Sequence, residues 1–576
     1  MRKKMPARSR WPQIPLVTTR IVNMKKHQYY KFILTALTLV GIAPLAFAQQ
    51  EEDVRMKPVE IEIIKEREIT LPQANRLFDK IPPRPVEPIK PEIIYNFRPL
   101  TFNTPEVSPS IRPLRLKQDD AKDINGGFVS AGYGNYASPY LEAFINSKED
   151  KNKLIGAHAF LNSSGKGPVD GKNSGSGNSG LSIFAQTFSK EFAFQGNAGF
   201  ENLSTHFYGY PEGEDVLRDT IRQSYNLFNI GLGISNARNT DFSYNLDGNF
   251  SFLKDKFEAA ESTVDFNFSS AYKINKDNAI ELNAFYTLIS RKDEGIDVKP
   301  RNLFQVNPYY SFRTQDNLKI QVGAVVAVEN DTLDSKNLHF YPDVKITYPL
   351  TPSIDVVGTL TGGIDKVSLQ TLMRQNRWIN AAIPIYHTNK LFDFQAALNV
   401  RLNSNVFVNT GLSFASLRNL YFFVNDTENQ AKFDMEYDDG ATKRTNLFAS
   451  MNMNYGNTAR LSLRGDYFSY NTDSQPEAWH RPAYSLSLGG MYNLKGKMVF
   501  SSDILAMGGI KALNPTTMQS VKLDPAFDLN FRMEYFVSQT FSIFLDFNNI
   551  TSNKYQVYFN YPVRGFQAMG GITWSF

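Results

Sequence analysis

The side chains that could perform acid–base or metal chemistry are scattered along this 576-residue chain. The chain has no cysteine, which excludes a disulfide framework, a thiolate zinc site, a cysteine nucleophile and a lipidated cysteine anchor. The six histidines include no i, i+4 pair and no neighbouring carboxylate at zinc-ligand spacing; they are His27, His158, His206, His339, His387 and His480. A Ser/His/acid set is not apparent either. The sequence therefore predicts no enzyme, no cofactor and no metal centre.

Two weaker ligand signals lie close together in one polar stretch. The segment GKGPVDG (165–171) is the nearest match to a phosphate-binding loop, but it lacks the Lys-Ser/Thr ending and no helical pattern follows it. The segment DGKN (170–173) begins like a calcium loop and lacks the later bidentate Glu. We interpret both as parts of one flexible loop.

Acidic and aromatic residues gather in predicted connections further along the chain. We expect the carboxylates of Asp434, Glu436, Asp438 and Asp439 to be solvated, with cation binding as the alternative. The aromatic positions Trp378 and Trp479-His480-Arg481 could stack on a sugar or contact a partner. The alternative, in which these loops pack on themselves, is the one we expect.

The N-terminal 48 residues have the layout of a secretory signal peptide. They contain nine Lys or Arg and no acid, then an apolar run and a small-residue site before Ala48 and Gln49. The true start is expected at Met24, and a retained anchor is the alternative. Without this segment 53 basic residues face 57 acidic ones, so the formal +5 of the chain becomes −4. This balance argues against a nucleic-acid partner.

Residues 49–125 are rich in proline, with 11 of the 29 prolines of the chain. Proline fixes φ and removes a backbone donor, so we expect an extended chain that serves as a tether or fills a cavity. One short stretch alternates and could add as a strand to a partner protein; it consists of Val59, Glu60, Ile61, Glu62, Ile63 and Ile64.

Residues 126–576 alternate between apolar and polar side chains over long strands. In 241–252 one face reads Phe242, Tyr244, Leu246, Gly248, Phe250 and Phe252, and the opposite face is polar. Strands of a soluble sandwich average five or six residues, whereas bilayer-crossing strands need about 9–11. The pattern predicts an all-β, antiparallel transmembrane barrel in the lipid of an outer membrane.

The connections between these strands alternate between short and long. Short links such as 189–191 and 537–540 separate longer segments such as 163–180, 367–390 and 417–443. Outer-membrane barrels have short periplasmic turns and longer external loops. Counting back from Phe576 gives about 22 strands, uncertain by two, with the first near 127–135.

The C-terminus ends in an alternating strand whose apolar face is aromatic-rich. That face comprises Phe566, Ala568, Gly570, Ile572 and Trp574, and the chain ends at Phe576. Such an ending is similar to the signal read by the barrel-assembly machinery. The last 30 residues, FNNITSNKYQVYFNYPVRGFQAMGGITWSF, resemble the ending of TonB-dependent receptors. In that family 549–550 would close the penultimate strand, and 564–566 would open the last.

The resemblance implies an outer-membrane receptor that passes or receives a small substrate with TonB as partner. Residues 59–64 would then be the TonB-contacting strand. The family also carries a globular plug, which the proline-rich 49–125 does not resemble, so we expect the lumen to be filled by 49–125, by inward-folded loops or by a partner. The alternative function is a non-transporting barrel that acts as scaffold or assembly partner for another envelope protein.

Overall fold

The computed structural model describes residues 126–147, 152–211, 213–236, 240–293, 295, 298–314, 317–331 and 336–576. The signal peptide, the junction Ala48-Gln49, the proline-rich segment and the strand predicted at 59–64 lie outside the described residues. The predictions made for them stay predictions.

Long antiparallel strands make up most of the described chain. The strands of the first half are β1 (Gly127–Gly134), β2 (Ser138–Asn146), β3 (Lys153–Ser164), β4 (Ser176–Phe188), β5 (Phe192–His206), β6 (Arg222–Asn236), β7 (Phe242–Asp255), β8 (Ala260–Lys273), β9 (Asn278–Lys292), β10 (Arg301–Arg313), β11 (Lys319–Glu329), β12 (Leu338–Thr351), β13 (Ile354–Asp365), β14 (Thr388–Asn403) and β15 (Val406–Arg418). Those of the second half are β16 (Tyr421–Asn425), β17 (Phe433–Tyr437), β18 (Ala441–Asn454), β19 (Ala459–Asn471), β20 (Tyr484–Leu494), β21 (Met498–Gly508), β22 (Lys511–Leu513), β23 (Ser520–Lys522), β24 (Ala526–Phe536), β25 (Phe541–Asn548), β26 (Gln556–Tyr558), β27 (Tyr561–Pro562) and β28 (Gln567–Ser575).

Twenty-two of these strands form one closed barrel. Each pairs antiparallel with the next barrel strand along the chain, and β1 pairs with β28 to complete the ring. Phe128 lies opposite Ser575 and Gly132 opposite Gly571 at this closure. Closure leaves the sheet without a free edge. The predicted fold class, the strand count and the position of the first strand are confirmed.

The predicted alternation is the alternation between the two faces of the wall. In β7 the side chains of Phe242, Leu246 and Phe250 are exposed on the outer face. Ser251 and Leu253, which follow Phe250 on the opposite face, point inward and are buried. On β28 the predicted apolar face is also the outer one, since Ile572 and Trp574 are 49% and 55% exposed. An apolar outer band matches the hydrocarbon core of a bilayer.

The links at one end of the barrel are short and those at the other are mostly long, as predicted. The boundaries differ in places. The predicted loop 163–180 is too long, because β3 continues to Ser164 and β4 begins at Ser176. Glycine and serine in that stretch supply ladder hydrogen bonds as well as larger residues do, so composition concealed a strand. The long connections 207–221 and 509–525 were missed, and 135–137 and 256–259 are short links at the long-loop end.

The long connections contain secondary structure of their own. Strand pairs β16–β17, β22–β23 and β26–β27 form three small hairpins. A four-residue helix, α1 (Arg218–Ile221), precedes β6, and α2 (Leu369–Gln375) lies between β13 and β14. Within the described part of the chain, neither helix has the length and apolar character needed to cross a bilayer. These folded connections cover the long-loop end of the barrel.

Candidate functional site: the lid and the lumen wall

Five connections at the long-loop end pack together over the barrel interior. We call them the lid; they are 207–221, 366–387, 419–440, 472–483 and 549–566. The ring of Trp378 lies 4.0 Å from that of Tyr561, and Tyr208 lies 4.7 Å from Tyr561. Phe433 joins the same group at 5.6 Å from Tyr561. Aromatic rings at such separations add to the free energy gained by burial. Connections far apart in sequence thus share one apolar core.

The connection 366–387 folds inward because its helix finds partners on the wall. Ser368 caps α2 by accepting a hydrogen bond from the amide of Thr371 at 3.2 Å. Glu261 of β8 accepts from the amides of Leu369 (2.8 Å) and Gln370 (3.2 Å). Amides of the first helical turn have no partner within the helix, so these acceptors fix where α2 begins. The apolar side of α2 packs on inner-face residues of β5, β6 and β7; these are Leu203, Tyr225, Leu227 and Leu253.

Buried charges tie the same connection to the neighbouring strands β9 and β10. Arg301 of β10 pairs with Asp331 at 2.9 Å and donates to the carbonyl of Val367 at 2.9 Å. Arg291 of β9 donates to the carbonyl of Ile383 at 2.6 Å. Removing one partner of such a group leaves an uncompensated buried charge, which is strongly destabilising. Three more ion pairs act at this connection or beside it: Arg291–Asp293, Lys366–Asp265 and Arg374–Glu201.

Two histidines of the lid are buried and serve as packing and hydrogen-bonding groups. His387 accepts at Nδ1 from the amide of Val367, and burial lowers its pKa to about 4. His480 donates from Nδ1 to the carbonyl of Phe423 at 2.6 Å, while Nε2 accepts from the amide of Phe559. Burial lowers the pKa of His480 to about 4 as well. Both rings are therefore neutral near pH 7.

The predicted aromatic positions belong to the core of the lid. Trp479 is 2% exposed, and its indole nitrogen donates to the side chain of Gln475. Arg481 stacks over Tyr421 and donates to its backbone carbonyl at 2.8 Å. Trp378 is half-buried and donates to the carbonyl of His206. The expectation that these loops pack on themselves is confirmed.

The expectation of solvated carboxylates is wrong for Asp438. This side chain is 1% exposed and accepts from the amides of Asp473, Ser474 and Gln475 and from the hydroxyl of Thr442. These donors hold the pKa of Asp438 below its usual range. Its role is to join two connections. Across the described residues, no cluster of three His, Asp or Glu has the geometry of a metal site.

The segment 165–171 is a compact turn. The amide of Gly167 donates to the carbonyl of Gly171, and Tyr210 of the lid donates to Asp170 at 2.7 Å. Asp170 itself has a left-handed φ of 51°. A single turn of 3-10 helix, Gly171–Ser174, follows, with no longer helix to receive a phosphate.

The inner wall below the lid is polar, and its charges are mostly paired. Arg464 contacts Asp466 at 2.7 Å, and Arg532 lies 3.6 Å from Asp546 and 4.3 Å from the ring centre of Phe544. Two more carboxylates of the inner wall accept hydrogen bonds: Glu534 from Ser542 and Asp528 from Tyr555. The wall therefore offers both signs of charge in compensated form.

Comparison with known proteins shows likeness in fold alone. No family model and no curated protein matches the sequence. Among solved structures, the FrpB iron transporter of Neisseria meningitidis is 10% identical, with a TM-score of 0.62 over 79% of this chain and 82% of that one. The siderophore receptor PirA of Acinetobacter baumannii is 10% identical, with a TM-score of 0.59 over 78% and 80%. FpvA of Pseudomonas aeruginosa, bound to a pyoverdine, is 12% identical, with a TM-score of 0.58 over 78% and 71%.

These structures are TonB-dependent receptors, so this chain has the 22-strand barrel of that class. The sequence-based resemblance in the last 30 residues and the fold agree. A barrel of this type is an outer-membrane architecture.

Proposed function

We propose that the barrel receives a substrate at its long-loop end and passes it across the outer membrane. The observation that supports this best is a 22-strand ring whose polar inner wall lies beneath a lid of folded loops. A ring of this size encloses a lumen wide enough to need a plug in known transporters. A lid held by side-chain contacts, with no covalent link, can act as a gate.

If the lid acts as a gate, disrupting it should raise the permeability of the barrel to small solutes. Liposomes that contain the full chain should swell slowly in small solutes. Replacing 369–385 by a short Gly/Ser linker should speed swelling, because α2 and its ion pairs would no longer hold the lid over the lumen. The control replaces the short turn 495–497 by the same type of linker, which leaves the lid intact. Equal swelling of all three proteins would reject the gate.

The proline-rich segment is proposed as a second occupant of the lumen. Deleting 49–125 should raise single-channel conductance in a planar bilayer, more so when combined with the lid replacement. Unchanged conductance in both backgrounds would reject this role for the segment.

Coupling to TonB is the finer part of the proposal. A photo-crosslinker placed within 59–64 should attach to the C-terminal domain of TonB, because an alternating segment can add as a strand to a sheet edge. Absence of crosslinks, under conditions that work for an established receptor, would remove TonB from the proposal and leave passage itself open.

A non-transporting scaffold is the second candidate, and the extent of the lid's contacts favours it. Arg301, paired with Asp331, ties the connection 366–387 to the wall through the carbonyl of Val367, and Tyr561 packs against Trp378. The scaffold would be established instead if the barrel stays impermeable after the lid replacement and after the deletion of 49–125, while the full chain captures a stable envelope partner through 49–125.

A further inference from the structure

We infer that a small cavity between the lid and the wall binds an oxyanion, such as a phosphate, sulfate or carboxylate group, carried by a soluble ligand. The cavity holds about 220 Å³ and lies where the long-loop ends of β3 and β4 meet the lid. Two arginines from different lid connections face polar, uncharged residues across it. The lining consists of Asn162, Ser163, Ser164, Ser176, Gly177, Asn178, Arg377 and Arg564.

The guanidinium groups of this cavity lack a carboxylate partner. Arg564 donates from Nη1 to the hydroxyl of Ser164, and the side chain of Arg377 makes no hydrogen bond or ion pair with any described residue. Glu201 is the carboxylate that acts on Arg377, and it is already bound to Arg374 at 2.7 Å. Burial lowers the pKa of both Arg377 and Arg564.

The two fully buried arginines of the described wall have acidic partners, whereas the half-buried Arg481 of the lid donates to the carbonyl of Tyr421 and stacks on its ring. Arg301 pairs with Asp331, and Arg291 with Asp293. A desolvated cation without a counter-ion costs free energy, so two of them beside one cavity favour an anion that enters it. The planar fork of a guanidinium suits the paired oxygens of phosphate, sulfate or carboxylate.

The wall side of the cavity supplies neutral hydrogen-bonding groups in register. Asn162 lies opposite Asn178, and Ser164 opposite Ser176, so all four side chains share the inner face. The amide oxygen of Asn178 is buried and has no partner among the described residues. A hydroxyl on the ligand could donate to this oxygen, while the oxyanion accepts from the two arginines.

The positions of the arginines connect the ligand to the lid. Arg377 follows α2 in the connection 366–387, and Arg564 lies just before β28 in the connection 549–566. An anion held by both would join two lid connections to β3 and β4. This oxyanion would be a ligand class for the reception function proposed above, and its biological role rests on that function.

The test measures binding directly, on the full-length barrel in detergent. Inorganic phosphate, sulfate and acetate are titrated at constant ionic strength against chloride, with thermal unfolding and tryptophan fluorescence as readouts, because Trp378 adjoins Arg377. The double variant Arg377→Gln/Arg564→Gln is compared with Arg401→Gln, which removes one exposed positive charge near the short-link end of β14, away from the cavity. We expect saturable phosphate binding in the wild type and Arg401→Gln, and a loss of about tenfold or more in affinity in the double variant.

An equal response in all three proteins, or no response of the wild type to any of the three anions, would overturn the inference. Should the double variant fail to assemble, Arg564→Lys and the two single Gln variants provide the same comparison, since Lys keeps the charge and loses the fork. Binding without permeability would leave the site in place and reject passage. Permeability without binding would reject the site alone.

Discussion

The wall and the lid place large apolar side chains in different surroundings. The wall carries many of them on its outer face, with Ile183 56% and Leu447 52% exposed. In the lid they point inward, with Phe433 and Tyr561 at 0% and 2%. The wall is held by its hydrogen-bond ladder and matched to lipid, whereas the lid has a core like that of a soluble domain. The two regions should therefore respond to different perturbations.

The largest expected loss of stability follows from a substitution that disrupts the lid and leaves the wall intact. Tyr561→Ala removes a ring that contacts Trp378, Tyr208 and Phe433, at a cost of about 3–5 kcal/mol by analogy with buried aromatic truncations. Proteolysis within 549–566 and conductance should both increase, while the barrel stays folded. Tyr467→Ala, on the outer face, is the control and should change neither. An intact lid in Tyr561→Ala would contradict the shared core.

A charge on the outer face tests the wall in the same way. Ile183→Arg places a cation among lipid tails and should cost about 2–4 kcal/mol near the bilayer centre. Ser182→Arg, one residue away on the inner face, should cost much less. Urea unfolding of both variants in lipid vesicles provides the comparison. Equal losses would mean that the face assignment of β4 is wrong.

Acid should loosen the lid before the wall. The pKa of His387 and of His480 is about 4 in the folded lid, below the ordinary value of 6.5. The stability due to their neutral forms is complete above pH 6.5 and is lost as the pH falls from 6.5 towards 4, by about 2 kcal/mol each at pH ~5. Lid proteolysis between pH 7 and 5 measures this, and His480→Gln should flatten the profile. A pH-independent lid would contradict the burial of both rings.

The smallest expected loss of stability comes from removing one hydrogen-bonding serine at either end of the barrel. Ser368→Ala removes the cap of α2 and should cost about 1 kcal/mol, seen as faster amide exchange at Thr371. Ser538→Ala, in the exposed turn before β25, should cost less, because water replaces the lost bond to Phe541. A larger effect at the turn would reverse the comparison.

The wall could be predicted from sequence because its signal is local. Alternation in β7 and β24 shows the two faces within a dozen residues, and the outward exposure of Ile572 and Trp574 followed from the same period. The use of the C-terminal face as an insertion signal stays a prediction. The lid could not be assembled in this way, because Trp378 and Tyr561 meet only after the ring has formed.

The candidate anion site was missed for the same reason. Arg377 and Arg564 lie in different connections, and no spacing in the sequence relates them. A weak local signal does exist for Arg564, which has no acidic residue within four positions on either side. Such an arginine in a loop between strands has no neighbour to neutralise it, and only the fold shows what it faces.

The pairing of β1 with β28 also determines the order of assembly. Phe128 pairs with Ser575, and these two residues lie near opposite ends of the barrel sequence. The ring therefore cannot close before the last residues are available. Until then the first and last strands have unpaired edges, and such edges template association with other chains. A nascent or C-terminally truncated chain is thus an open sheet that is exposed to aggregation. Losing the nine residues of β28 would prevent closure of the whole barrel, although β28 is only one of twenty-two strands.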